Sequence, residues 1–374
     1  MSSPAAESDL VALGAQFLYP NYRQPPLVIA RGKGCELWDK SGKRYLDMHG
    51  GIAVSTLGHA HPRLVAAIAR QAGEVIHLSN YFYNEPNIRL AQRLCQLTGM
   101  ARAFFCNSGA EAMEGMLKLT RRHYFDQGQP DRYRIVAFEN SFHGRTLGAL
   151  AATGQKKYRE GFGPLPGVTH VPFGDAGAVR AAMGPDVAGI LFEPIQGEGG
   201  VLPAPPGFVR ELRRIADENG ALLLADEIQT GVGRTGKFLA VQHEGVEPDA
   251  LVLAKGLAGG VPIGAMLCKS ALEGVLPPGS HGSTFGGNPL ASAAALEVLD
   301  VIDEEQIVAN VVARGAELTQ GLSDLAKRHE GVVATSRGSG SKRPSSAHHA
   351  TTGVTKLRLG GMWIRLSSPI TSNA

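Results

Sequence analysis

Cysteine is scarce in this 374-residue chain, with four residues at positions 35, 95, 106 and 268. No two of them form a CxxC pair, which argues against a zinc site and a disulfide framework and fits a reducing compartment. No apolar run approaches the roughly 20 residues that a membrane span requires. The opening MSSPAAESDLVALG lacks a basic segment and carries Glu7 and Asp9. A cytoplasmic protein without a membrane anchor is therefore expected. A charge excess is also missing: 37 basic and 34 acidic residues leave +3, and no basic run is interleaved with aromatics. Nucleic acid is not an expected partner. There is no internal repeat. His59 and His61 have no third ligand at usable spacing, so no metal site is expected and the pair reads as turn and helix-entry residues.

The composition that remains, 43% apolar and 19% charged, is that of a globular protein long enough for a large core. ELWDKSGKRYLD predicts a hairpin turning at Lys40–Lys43. From Ala101 to Lys269 seven short apolar runs (ARAFFC, YRIVAF, VTHVPF, AGILFE, ALLLAD, ALVLAK and IGAMLC) alternate with helical stretches. One of these, GFVRELRRIADENG, collects Phe208, Leu212, Ile215 and Ala216 on one face. Such alternation predicts an α/β protein with a mostly parallel sheet flanked by helices, whose ligands sit beyond the carboxyl ends of the strands. A long helical stretch from Leu290 to His329 follows, and then a serine-rich segment, TSRGSGSKRPSSAHHATTG, that reads as linker or disorder.

Several motifs stand directly after the apolar runs. In LVLAKGLAGGVPIGA, Lys255 ends a buried strand, where desolvation disfavours the ammonium and a free amine can attack an aldehyde. In ALLLADEIQTGVGRTG, Asp226 follows the most apolar strand, and a carboxylate there needs a cation such as a protonated ring nitrogen. The same stretch contains GxGxxG and a near Walker A loop. Phe238 stands where a P-loop needs Ser or Thr, and the first glycine lies five residues beyond Asp226, so nucleotide binding is rejected. FFCNSGAEA is even between a phosphate-binding helix start and an ordinary turn capped by Ser108 or Asn107. NSFHGRT offers Phe142 for ring stacking and Arg145 as a carboxylate fork, although taken alone a core aromatic and a surface arginine are the better reading. In EPIQGEGG, Glu193 and Glu198 taken alone read as solvated or arginine-matched acids. HGSTFGGNP presents Ser283 and Thr284 for an anion or for a turn.

The order and wording of these motifs closely resemble the subgroup III aminotransferases, in particular acetylornithine and ornithine aminotransferases. The phrases that carry the resemblance are RGKGCELWDKSGKRYLD, GHAHP, SFHGRT, EPIQGEGG, DEIQTGVGRTG, AKGLAGGVPIGA and STFGGNP, between about Tyr22 and Leu325. It implies the pyridoxal-phosphate (PLP) transferase fold of type I and a homodimer with shared active sites. It also implies a small second domain built from both chain ends: residues 1–50 packing with the small domain, 51–290 as the large cofactor-binding domain, and 291–374 as an atypical C-terminal unit, disordered from about 335. Carried across, the resemblance makes Lys255 the Schiff-base lysine and Asp226 the partner of the pyridine nitrogen. Gln229 faces the ring hydroxyl, Phe142 stacks on the ring, and Ser108, Gly109 and Ala110 hold the phosphate with Thr284 of the other subunit. Arg145 clamps a substrate carboxylate, with Tyr22 and Ser283 as further substrate-binding candidates, and Glu198 gates a second arginine.

Two departures stand out. Met113 replaces a customary Asn, and the C-terminal arginine of the family cannot be matched to Arg358 or Arg365. The implied reaction moves the δ-amino group of N2-acetylornithine to 2-oxoglutarate. Transamination of succinylornithine, ornithine or 4-aminobutyrate, and a PLP-binding dimer impaired by its aberrant C-terminus, are the alternatives; a nicotinamide dehydrogenase is remote.

Overall fold

The seven apolar runs form one seven-stranded sheet in the computed structural model of the protein, which describes residues 7–329 together with the backbone of 333–337, 354–359 and 362–367. An N-terminal antiparallel sheet precedes it, made of β1 (Ile29–Lys33), β2 (Glu36–Asp39) and β3 (Arg44–Leu46). Its β2–β3 turn is the expected hairpin. Asp39 Oδ1 accepts from the backbone N–H groups of Ser41 and Lys43, both at 2.9 Å, which fixes the tight connection.

The central sheet comprises β4 (Arg102–Cys106), β5 (Arg134–Phe138), β6 (Val168–Val171) and β7 (Val187–Phe192). After the short pair β8 (Ile195–Gln196) and β9 (Leu202–Pro203), it is completed by β10 (Leu222–Asp226), β11 (Ala250–Leu253) and β12 (Gly264–Cys268). The spatial order is β4-β12-β11-β10-β7-β5-β6. All neighbours from β11 to β6 run parallel, while β12 is antiparallel to both β11 and β4. Every residue of β7, β11 and β12 is buried, which explains why these strands read as unbroken apolar runs instead of alternating ones.

Alternation shows instead in which core each residue enters. Leu251 and Leu253 join one hydrophobic cluster with Phe138, Phe192 and Leu212, while Ala250 and Val252 join the other with Met113, Met116 and Leu224. The two-residue period of a strand thus feeds two cores, one on each face. The helix Gly109–Asp126 covers the second face, and Met113 is fully buried there. The helix Phe208–Glu218 covers the first, burying Phe208, Val209, Leu212, Ile215 and Ala216. Its outer side carries Arg214 and Glu211, ion-paired at 2.7 Å.

The long helical stretch is two helices, Pro289–Glu304 and Ile307–Arg328, broken at Gln306, whose φ is +53°. Ala294, Val298 and Ile302 lie in the same core as Leu64 and Leu257, so the helix Pro289–Glu304 is seated on the large core. Arg63 bridges to Glu297 and Glu304 at 2.7 Å each, tying that helix to Pro62–Glu74. The C-terminal backbone forms an antiparallel sheet of β13 (Val333–Arg337), β14 (Val354–Leu359) and β15 (Met362–Ser367), with Arg358 opposite Trp363 and Arg365 opposite Lys356. The linker or disorder expected for the serine-rich segment falls largely on 338–353, outside the described residues. Among the described residues no helix is long and apolar enough to cross a membrane.

Candidate active site

Parallel strands bring their carboxyl ends to one edge of a sheet, and the motifs after those strands meet there. β4 points the same way as β11, because β12 is antiparallel to both. The edge holds a cavity of about 430 Å³ lined by Ser108, Gly109, Ala110, Phe142, Arg145, Glu198, Asp226, Gln229 and Lys255, together with His143 and Glu193. That size suits a cofactor-sized molecule.

At one end of the cavity the helix Gly109–Asp126 begins. Ser108 is its N-cap, accepting from the Glu111 N–H at 3.2 Å, and Glu111 in turn accepts from Asn107 N at 2.8 Å. The first amides of a helix have no intrahelical acceptor, so those of Gly109 and Ala110 attract an anion. On the floor, Asp226 ends β10 and is only 3% exposed. Its Oδ1 accepts from Ile228 N at 3.0 Å, and its Oδ2 lies 2.7 Å from His143 Nδ1. The His143 side chain is fully buried, and its Nε2 has no hydrogen-bond partner among the described residues.

Lys255 follows β11 after one residue and is half-buried, with a backbone φ of +48°. A lysine in the left-handed region is uncommon and costs energy, a feature concentrated at functional sites. The Gln229 amide lies close against Gly197 of the EPIQGEGG loop, where a Cβ would fall 1.8 Å from its Oε1 and would displace that side chain.

Sequence reasoning gave no role to His143 and read Glu193, taken alone, as solvated or arginine-matched. Glu193 is instead buried, and its Oε2 has no hydrogen-bond partner among the described residues. Burial first, and then the neighbouring Asp226 carboxylate, push its carboxyl well above the usual range, against the opposing effect of Lys255. One ligand-capable atom from each of His143, Glu193 and Asp226 lies within 4.8 Å of the others. Position next to Phe142 in SFHGRT was the only signal for His143.

Three expected residues lie elsewhere. Ser283 and Thr284 line a second cavity of about 840 Å³ with His77, Asn80, Tyr81 and His281. Tyr22 is 76% exposed and lines neither cavity. His59 and His61 serve the turn and the helix entry: His59 Nε2 meets Asp47 Oδ2 at 2.7 Å, and His61 precedes the helix Pro62–Glu74.

With this geometry in hand, comparison with known proteins is decisive, since the family described as aminotransferase class-III matches residues 17–369. The chain belongs to the class-III aminotransferases. Among relatives of this class-III chain, an acetylornithine aminotransferase of Myxococcus xanthus is 52% identical over 341 residues, 91% of this chain and 85% of the relative. A Pseudomonas aeruginosa relative, described as succinylornithine transaminase/acetylornithine aminotransferase, is 45% identical over 91% of this chain and 84% of its own length. The ornithine aminotransferase of Toxoplasma gondii ME49 superposes with a TM-score of 0.91 at 32% identity, covering 98% of this chain and 91% of that one.

Proposed function

We propose that this class-III aminotransferase uses pyridoxal 5'-phosphate to move the δ-amino group of N2-acetylornithine to 2-oxoglutarate, giving N-acetylglutamate 5-semialdehyde and glutamate, a step of arginine biosynthesis. The observation that carries the reading is the 52% identity, over 91% of the chain, to an acetylornithine aminotransferase. The residues of the cavity fit the cofactor: one space combines helix-start amides, a buried carboxylate, an aromatic face and an amine. Bound there, PLP supplies an aldehyde that condenses with amines and a ring that withdraws electrons.

Lys255 would be the residue that holds the cofactor through its aldehyde, and its Nζ would move a proton to and from the substrate's amine-bearing carbon. Asp226, buried on the cavity floor, would pair with the ring nitrogen of the cofactor. Phe142 would stack on the ring, Gln229 would face its hydroxyl, and Ser108, Gly109 and Ala110 would hold the phosphate. Arg145 would take the substrate carboxylate in its planar fork, and Glu198 would neutralise a second arginine when no dicarboxylate is bound. Ser283, beside Thr284 in the second cavity, would reach substrate only across a subunit interface, and Tyr22, exposed outside both cavities, makes no contact with the site among the described residues of this chain.

Thr284 lines a separate cavity in this chain, and we assign its phosphate contact to the partner subunit of a homodimer. The flank of that cavity supports the assembly, because Tyr81 and Tyr83 are 93% and 96% exposed beside Phe82, and such an aromatic patch marks a protein interface. The large unit spans 51–290. Residues 1–50 and 291–374 would supply the small one, although the helix Pro289–Glu304 packs its apolar face into the large core. A cytoplasmic location agrees with the composition.

Succinylornithine is the second donor to consider, given the double description of the Pseudomonas aeruginosa relative. A panel of acetylornithine, succinylornithine, ornithine and 4-aminobutyrate with 2-oxoglutarate tests the reading through glutamate formation. Acetylornithine is expected to give the highest kcat/KM, and a higher value for any of the other three would reassign the donor.

A further inference from the structure

The guanidinium of Arg145 is held by an aromatic ring that no motif pointed to. Its central carbon lies 3.8 Å from the centroid of the Tyr158 ring and 5.4 Å from that of Phe142. Phe142 and Tyr158 themselves meet edge to face, with centroids 5.9 Å apart and planes at 84°. Tyr158 comes from the short helical turn Lys156–Arg159 and is half-buried, whereas Arg145 is exposed at the cavity wall. Among the described residues, Arg145 makes no hydrogen bond and no ion pair. An arginine stacked on a ring keeps its N–H donors in the plane of the guanidinium, pointing away from the ring and available to an anion. An exposed arginine without such a support would be spread over many rotamers, and ordering it on binding would cost affinity. Lys157 adds a second cation, its Nζ lying 4.7 Å from the same ring centroid, which raises the local positive potential that an approaching anion meets.

We propose that Tyr158 is the positioning residue of the Arg145 clamp: its ring fixes the guanidinium plane and thereby gives the site its preference for amino donors bearing a carboxylate remote from the reacting amine. This rests on the reading of Arg145 as the carboxylate clamp and adds to it the residue that makes the clamp rigid. The contribution is to binding, so it belongs in KM more than in kcat.

The test compares Tyr158→Leu, Tyr158→Phe and Arg145→Ala holoenzymes using acetylornithine and a diamine of similar length without a carboxylate. Tyr158→Leu is expected to raise KM for acetylornithine roughly 5- to 20-fold, the range of a partly desolvated cation–π contact. Its kcat, its cofactor absorbance and its KM for the diamine should stay within about twofold of wild type, as such a local contact leaves the chemistry untouched. Tyr158→Phe keeps the ring face and should restore the wild-type KM. Arg145→Ala separates the two layers of the argument. If it raises KM for acetylornithine while Tyr158→Leu does not, the positioning role is wrong although the clamp stands. If Arg145→Ala leaves that KM unmoved, the clamp itself is wrong and the inference falls with it. Equal losses on both donors in Tyr158→Leu would show a merely structural ring and would also overturn the proposal.

Discussion

The chemical role proposed for Lys255 falls on a residue with an unfavourable backbone. Its left-handed φ of +48° is a conformation that glycine adopts freely and other residues adopt at a cost of about 1–2 kcal/mol. The side chain therefore stays at this position despite local propensity. Replacement by alanine should reduce turnover at least about 10³-fold, because the nucleophile and the proton carrier are lost together. The thermal midpoint should hardly move, as only a half-buried amine is removed. Steady-state rates and a melting curve check both parts, and near wild-type turnover would remove Lys255 from the mechanism. Lys255, Asp226 and the Ser108–Ala110 turn could be singled out because each follows a recognisable apolar strand, and the fold brings all of them to one cavity, while the roles proposed for them came from the family resemblance. His143 and Glu193 were not, because sequence gives residue types without their surroundings: whether a glutamate in a glycine-rich loop is solvated depends on what folds over it. Tyr158 was invisible for a similar reason: it lies 13 residues beyond Arg145, past the short helix Leu147–Ala152, and no periodicity in the sequence brings the two together.

At the scale of elements, the turn that follows β10 contains a second buried acid. Glu227 is fully enclosed, accepting from Val241 N at 2.8 Å and from the Thr230 hydroxyl. Burial pushes its carboxyl up to about 7 from the usual 4.5, although those hydrogen bonds oppose the shift. The folded protein thus keeps a proton that the unfolded chain has already lost. The stabilising effect is complete below about pH 4.5 and disappears as pH rises through about 7, a change on the order of 3 kcal/mol. Glu227→Gln does not titrate. Its thermal midpoint relative to wild type should therefore become more favourable between pH 5 and pH 8, whereas a difference independent of pH would mean that Glu227 ionises normally in the fold. The strands themselves were easy to read, since all seven apolar runs became the seven sheet strands. Their spatial order was not, because the runs do not encode that β12 inserts antiparallel between β4 and β11.

For the whole molecule, the proposed homodimer rests on the position of Thr284 and on the exposed aromatic surface at Tyr81–Tyr83. Analytical ultracentrifugation should give about twice the 39.4 kDa of the chain. Tyr83→Glu, which places a charge in the apolar patch, should shift the protein toward monomer and weaken cofactor retention together. A monomeric wild type that retains its cofactor would exclude a phosphate contact from a second subunit.

The central claim, that Lys255 holds the cofactor of a transaminase at the edge of this sheet, is tested most directly by reducing the cofactor-loaded protein with borohydride and mapping the modified lysine by peptide mass spectrometry. The account predicts a phosphopyridoxyl group on the peptide containing Lys255 and on no other lysine. Modification of a different lysine, or of none in protein that absorbs as cofactor-loaded, would contradict it.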